Sequence, residues 1–183
     1  MLYLASASPR RSKLLRKAGI IFKLVESDYR ERHFPGMGPT FLVKKHALGK
    51  ALGAIRRVKK GKILAADTIV YFRKKIVGKP SSRTAAVKTL LALQGAWHTV
   101  YTGVGILEMK NGKVFGKRLF VEKTKIRLKE MDEKAVRRYF LRVDPMDKAG
   151  SYAIQAKGAS IVREVRGSFS NAVGLPMERL GFL

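Results

Sequence analysis

Apolar positions along this chain come in short continuous or alternating runs punctuated by Gly, Pro and charge, a pattern that predicts strands and helices in alternation. Residues 2–5 read as a strand, 6–8 as a turn and 9–18 as a helix, with Ser8 at the N-cap, Pro9 in the first helical position and Gly19 past the end. A second strand falls at 20–25, and a polar loop carrying Pro35, Gly36 and Gly38 at 26–39. A basic-faced helix follows at 41–58, then a strand at 63–72 with Asp67 in its middle. After a basic turn come Ile76 and Val77, the turn Gly78-Lys79-Pro80, and a helix capped by Ser81 or Ser82 that ends near Gln94 with Gly95 as its stop. Residues 97–109 and 113–128 read as two strands joined at Asn111-Gly112, a hairpin signal. A helix at 132–143, a loop at 144–150, a hairpin of 152–156 with 160–165, a glycine-containing loop at 167–176 and a last short helix complete the chain. The expectation is a single α/β domain over 1–183, with a mixed twisted sheet and flanking helices.

With 183 residues, 46% of them hydrophobic, the chain can bury a substantial core, which argues against disorder. It holds 39 Lys and Arg against 13 Asp and Glu, a net charge of +26, and the excess is spread over the length rather than carried by a tail. Such a charge favours polyanions of any kind, nucleic acid and nucleotide phosphates included. It also makes the few carboxylates the informative residues. There is no cysteine, which excludes disulfide scaffolds, thiolate metal sites and cysteine nucleophiles. No apolar run approaches the roughly 18 residues of a membrane span, and Arg10 and Arg11 follow the first apolar segment, the reverse of a signal peptide's order. A soluble cytoplasmic protein with no membrane partner is therefore expected.

Two features suggest chemistry on phosphates. Ser8-Pro9-Arg10-Arg11 puts two guanidinium groups in the first turn of a helix, where the dipole disfavours each cation by about 0.3–1 kcal/mol. Free N–H groups, a serine and two arginines at one helix start suit a phosphate, although a chain this basic also puts some arginines at helix starts by chance. Lys50 and Lys79 can add charge to the same site, or be solvated surface lysines. Asp67 interrupts an apolar run, so its carboxylate must be paired, metal-bound or at a cleft, because an unpaired buried carboxylate costs several kcal/mol. A strand aspartate in a cleft is a catalytic candidate; one held by arginine or backbone donors is structural.

Asp28 and Glu31, three apart in the loop after the second strand, can serve a hard divalent ion or be a solvated pair, and Glu31 is the better candidate. Asp147-Lys148 beside Gly150 reads as a structural loop pair. Gln155, on the expected strand that follows, offers an amide donor and an acceptor that match the N3–H and carbonyl of uracil or thymine. His33, His46 and His98 lack ligand spacing and read as ordinary.

Taken together, LASASPRR at 4–11, SDYRE at 27–31, GKA at 49–51, AADTIV at 65–70, GKP at 78–80, YTGVGI at 101–106, DKAGSYAIQ at 147–155 and GSFSNAVGLP at 167–176 resemble the Maf family of nucleoside triphosphate pyrophosphatases. The resemblance implies two lobes around a deep cleft, similar to the inosine triphosphate pyrophosphatase fold. It also implies hydrolysis of nucleoside triphosphates to the monophosphate and pyrophosphate with a divalent cation, magnesium or manganese. By motif, Asp67 resembles the proton acceptor. Ser8, Arg10, Arg11, Lys50 and Lys79 correspond to phosphate-binding positions, and Glu31 with Asp67 to metal-binding positions. Arg10, Thr68 and Gln155 resemble the dTTP and UTP branch, with modified pyrimidine nucleotides as further substrates, whereas the 7-methyl-GTP branch carries Trp, Gln and Glu there. Arg30 departs from the family pattern of an acid before the glutamate, which implies weaker metal binding at that loop.

Competing expectations are a catalytically silent nucleic-acid-binding protein of the same fold, which the basic excess favours, and a purine (inosine or xanthosine triphosphate) pyrophosphatase. Against the first, there is no aromatic-rich RNA-binding motif, and an intact acidic set has no purpose in a pure polyanion binder. Nonspecific nucleic acid and a second copy in a homodimer are the macromolecular partners left open.

Overall fold

The computed structural model describes residues 1–32, 36–155 and 160–181. Seven strands, β1 (Leu2–Leu4), β2 (Phe22–Leu24), β3 (Gly61–Phe72), β4 (Lys75–Val77), β5 (Trp97–Lys110), β6 (Lys113–Leu128) and β7 (Val162–Arg166), form one mixed sheet in the order β2-β1-β3-β5-β6-β7, with β4 on β3. β1 lies parallel to β2 and β3, and all other pairs are antiparallel. The helices are α1 (Pro9–Lys17), α2 (Pro39–Leu52), α3 (Arg83–Leu93), α4 (Glu133–Phe140) and α5 (Phe169–Val173).

Local chemistry accounts for most boundaries. Asn111 and Gly112 both take positive φ, 51° and 73°, as a two-residue hairpin turn between right-twisted strands requires. Ser82 Oγ accepts from Ala85 N–H at the start of α3, and Asp132 Oδ1 from Ala135 N–H at the start of α4. The helix expected over 41–58 ends at Leu52, with Ile55–Arg57 as a separate 3₁₀ turn. Within the loop expected at 167–176, residues Phe169–Val173 form α5 instead, because Ser168 Oγ caps Asn171 N–H. The short helix expected after Pro176 is a 3₁₀ turn, Met177–Arg179.

The hairpin expected between 152–156 and 160–165 is corrected by the structure. β7 pairs with β6 rather than with 152–155, and Ala156 lies outside the described residues. Tyr152 and Ile154 are drawn into the core instead, and the Ala153 N–H donates to the Tyr139 hydroxyl at 2.9 Å, so that backbone is not available to a ladder. Gln155 consequently sits exposed in a turn, not on a strand.

The pleat sorts the core. Even-numbered residues of β3, β5 and β6, such as Leu64, Val70, Val100, Val104 and Ile126, pack under α1, α3, α4 and α5. Odd-numbered ones, Ile63, Ala65, Ile69 and Leu107, pack under α2. That helix lies unusually close to the sheet: a Cβ on Gly103 of β5 would come within 2.3 Å of Val43 O, and one on Gly105 within 3.1 Å of Ala47 O. No helix among the described residues is long and apolar enough to cross a membrane.

Candidate functional site

The site lies where β3 loses its neighbour. β1 is in register with β3 only through Leu64, and β4 begins pairing at Val70, so along that edge residues 65–69 have no strand beside them among the described residues. Asp67 and Thr68 occupy this gap. Being adjacent in a strand, they face opposite sides of the sheet, Asp67 toward α2 and Thr68 toward α1 and α5.

On the α2 side the Lys50 ammonium contacts Asp67 Oδ1 at 2.6 Å and Glu31 Oε1 at 2.6 Å. The glycine contacts between α2 and β5 bring Lys50 close enough for this. The segment carrying Glu31 is fastened to the C-terminal part of α2. Ser27 Oγ donates to Lys50 O at 2.8 Å, Asp28 N–H donates to Gly53 O at 3.2 Å, and Tyr29 covers Gly49 so tightly that a Cβ there would meet its ring at 2.2 Å. Burial first, then the charges of Glu31 and Asp67, raise the Tyr29 hydroxyl above its ordinary pKa. Asp28 does not join the site: both its carboxylate oxygens are taken by Arg57, at 2.7 and 2.8 Å.

On the other side Arg11 is buried, with three neutral acceptors: Gly174 O at 2.8 Å, Ser6 Oγ at 2.9 Å and Thr68 Oγ1 at 3.1 Å. Desolvation lowers its pKa to about 10, against the opposing pull of Asp67, and at neutral pH it still carries its charge. No described carboxylate hydrogen-bonds it. A buried guanidinium held by neutral oxygens retains an unneutralised charge, which an anion entering the gap would satisfy. Thr68 continues the network to Thr102 Oγ1 at 3.0 Å, which donates to Asn171 O at 3.0 Å, and Asn171 Nδ2 donates to Thr124 Oγ1 at 2.8 Å. These hydroxyls on three neighbouring strands, together with α5, form a polar seam within an otherwise apolar face of the sheet.

Of the other expected residues, Ser8 occupies the N-cap position of α1 but its side chain makes no cap hydrogen bond. Arg10 does not stand open for a phosphate: it binds Asp147 through Nη1 to Oδ2 at 2.8 Å and Nη2 to the backbone O at 3.3 Å, and Lys148 pairs with the same carboxylate. Lys79 is exposed in its turn, which Gly150 N–H ties to Gly78 O at 3.2 Å, and it makes no ion pair with the Asp67 cluster. His46 contacts the Tyr29 hydroxyl through Nδ1, His98 is a core residue, and His33 lies outside the described residues. Sequence reasoning missed Ser6, Thr102 and Asn171, whose only advance signal was the run of small polar residues in motifs otherwise read as strand and loop.

Glu31 and Asp67 suit a hard divalent ion in donor chemistry, since their oxygens converge on one ammonium and are therefore at most twice 2.6 Å apart. No third His, Cys, Asp or Glu completes a cluster among the described residues.

Residues 1–182 match the family described as Maf-like protein. The chain belongs to the Maf family. A dTTP/UTP pyrophosphatase of Gloeobacter violaceus is 42% identical over 179 residues, 98% of this chain and 92% of that protein. A dTTP/UTP pyrophosphatase of Acetivibrio thermocellus is 40% identical over 98% of this chain and 92% of its own. Among solved structures, the Staphylococcus aureus Ham1 protein aligns with a TM-score of 0.47 at 13% identity, over 87% of this chain and 91% of that one. In this Maf chain the motif at 4–11 supplies Ser6 and Arg11, the motif at 65–70 supplies Asp67 and Thr68, and the motif at 167–176 supplies the backbone carbonyls of Asn171 and Gly174 that hold Thr102 and Arg11.

Proposed function

We propose that this chain hydrolyses the α–β anhydride of dTTP and UTP, releasing the nucleoside monophosphate and pyrophosphate. The observation that carries the reading is the meeting of Lys50, Asp67, Glu31 and Arg11 in the gap along β3, where two cations and two carboxylates share one opening. The full-length similarity to the dTTP/UTP pyrophosphatases supports the substrate class.

Before substrate arrives, Lys50 pairs with both Asp67 and Glu31. A triphosphate entering between α1 and α2 offers the ammonium and the Arg11 guanidinium stronger, multiply charged partners, and Lys50 then swings from carboxylate to phosphate. Asp67 is released as an acceptor and takes a proton from the attacking water. The water oxygen bonds to the α-phosphorus, the bridging P–O bond breaks, and its electron pair leaves with pyrophosphate, whose charge Arg11, Lys50 and Lys79 stabilise. A magnesium or manganese ion held by Glu31 and Asp67 would supply charge neutralisation on the phosphate oxygens. Arg10, positioned by Asp147, connects α1 to the segment leading to Gln155, and Gln155 with Thr68 selects the pyrimidine.

The test is pyrophosphate release from a panel of nucleoside triphosphates by wild type and Asp67→Asn. Release from dTTP and UTP, reduced at least about a hundredfold in the variant as loss of a general base predicts, is expected. Turnover of inosine or xanthosine triphosphate in preference to pyrimidines would overturn the substrate assignment, and an Asp67→Asn enzyme that keeps more than a few per cent of activity would overturn the role of Asp67.

A further inference from the structure

α2 covers only part of its face of the sheet. Beyond it, β3, β5 and β6 run on, and their register places Tyr71 opposite Thr99, Thr99 opposite Lys125, Tyr101 opposite Lys123 and Trp97 opposite Arg127. All of these side chains share one face, since Val70, Val100 and Ile126 between them are buried on the other, under α3 and α4. The result is a patch that no linear motif shows: three aromatic rings from two strands beside a row of cations on the third. Tyr71 and Tyr101 meet edge to face at 5.9 Å, and the Lys123 ammonium stands 5.3 Å over the Tyr101 ring. Arg166 lies 4.5 Å over Trp97 and is held by Glu164, the carboxylate that also shares this face. Lys123 and Lys125 are exposed, and the three rings are half-exposed.

We propose that this open face binds single-stranded nucleic acid, separately from the nucleotide site. Sheet-borne aromatic rings stack on unpaired bases without regard to sequence, while adjacent lysines follow the phosphate backbone. The net charge of +26 gives the long-range attraction, and the patch gives it a place to act. A second copy of this chain is a poor occupant, because face-to-face packing would set Lys123, Lys125 and Arg127 against the same cations. Tyr101, opposite Ile69, is the nearest ring, two residues or about 7 Å along the strands from the level of Asp67, and the patch runs away from that level toward Trp97.

Anisotropy of a labelled oligo(dA) of about 20 nucleotides tests this, as it carries neither a triphosphate nor a pyrimidine and spans one or more binding sites of the usual size. Binding is expected, with quenching of Trp97, the single tryptophan. Lys123→Ala/Lys125→Ala lowers affinity about tenfold or more and reduces the log K against log salt slope by about 1.4, at 0.7 per phosphate. Tyr101→Leu weakens binding about fivefold to a hundredfold while leaving that slope in place, as loss of a stacked base predicts. A charge-matched pair on exposed positions of α1 and α3, Lys13→Ala/Lys88→Ala, changes affinity by less than about twofold. dTTP hydrolysis by the Lys123→Ala/Lys125→Ala protein stays at the wild-type rate, which also verifies folding. No binding, equal losses in the two lysine pairs, or equal affinity for a duplex of the same length would overturn the proposal. So would concentration-dependent dimerisation abolished by Lys123→Ala/Lys125→Ala, which would give the face to a second copy.

Discussion

Arg11, near the start of the chain, donates its Nε–H to the carbonyl of Gly174, 163 residues later, at 2.8 Å. The same guanidinium reaches Ser6 and Thr68, so one side chain joins α1, β3 and the end of α5. Lysine keeps the charge at this position but has no planar fork with which to meet three acceptors. Arg11→Lys is expected to lower kcat/KM for dTTP at least about a hundredfold, as a misplaced transition-state donor does. Its unpaired buried acceptors cost about 1–3 kcal/mol of stability. Steady-state kinetics alongside urea denaturation checks both parts, and a variant with wild-type kcat/KM would show that Arg11 is structural only.

Lys50 has the opposite problem, since the stability of its partner depends on it. Asp67 is buried, and removing the ammonium leaves its carboxylate uncompensated, which costs about 3–5 kcal/mol. Lys50→Met should therefore be strongly destabilised as well as inactive, whereas Asp67→Asn should be inactive but much closer to wild type in stability. Adding Asp67→Asn to Lys50→Met should recover most of the lost stability. Denaturation midpoints of the four proteins form a double-mutant cycle, and additive losses would mean that the pair is not coupled.

How much of this was legible beforehand follows from which interactions are local. Caps and turns depend on neighbours in sequence, so the starts of α3 and α4 and the Asn111-Gly112 hairpin could be read directly. Asp67 stood out because an acid within an apolar run is costly, and the burial and pairing to Lys50 bear out that logic. The Asp147–Lys148 pair looked purely structural, yet Asp147 also holds Arg10, a contact across 137 residues that no local pattern could announce. Residues 152–156 read as a strand carrying Gln155; Tyr152 and Ile154 are indeed buried, but as core residues packed against α4 rather than as ladder residues. The aromatic patch is not legible in the sequence because Tyr71 lies 30 residues before Tyr101 and Lys123 lies 22 after it, and they become neighbours only through strand register.

The C-terminal turn contributes through Glu178, whose Oε2 accepts from Ser168 Oγ at 2.8 Å and Ser170 Oγ at 2.6 Å, pinning α5 and hence the carbonyls that hold Arg11 and Thr102. Burial opposes the charged carboxylate, but the hydrogen bonds from Ser170, its own backbone N–H and Ser168 prevail, and its pKa lies below the ordinary glutamate value. A carboxylate depressed in the folded state stabilises above its unfolded pKa, and the benefit disappears as pH falls through the folded pKa. Glu178→Gln should therefore have a lower melting temperature than wild type at pH 7, with the gap closing under acid conditions. A gap that is the same at both pH values would rule out the charge as the source.

His98 gives the clearest pH signature. It is buried beside Tyr152, with Nε2 2.7 Å from the hydroxyl, and desolvation lowers its pKa from 6.5 to about 4 despite the nearby Ala96 backbone, which works the other way. Below pH 6.5 the unfolded chain takes up a proton that the folded protein refuses until about pH 4, so stability is complete above the unfolded pKa and is lost as pH falls across that window. A separation of this size corresponds to about 3 kcal/mol when fully expressed. Replacing the ring with an uncharged isostere of similar breadth, His98→Phe, removes the titration and leaves the Tyr152 hydroxyl to seek another partner. The variant should be less stable than wild type at pH 7, by about 1–3 kcal/mol for the orphaned hydroxyl. It should also lose less stability between pH 7 and pH 4.5. Urea unfolding at those two pH values decides the matter: parallel losses in the two proteins would mean that His98 is not the residue that titrates.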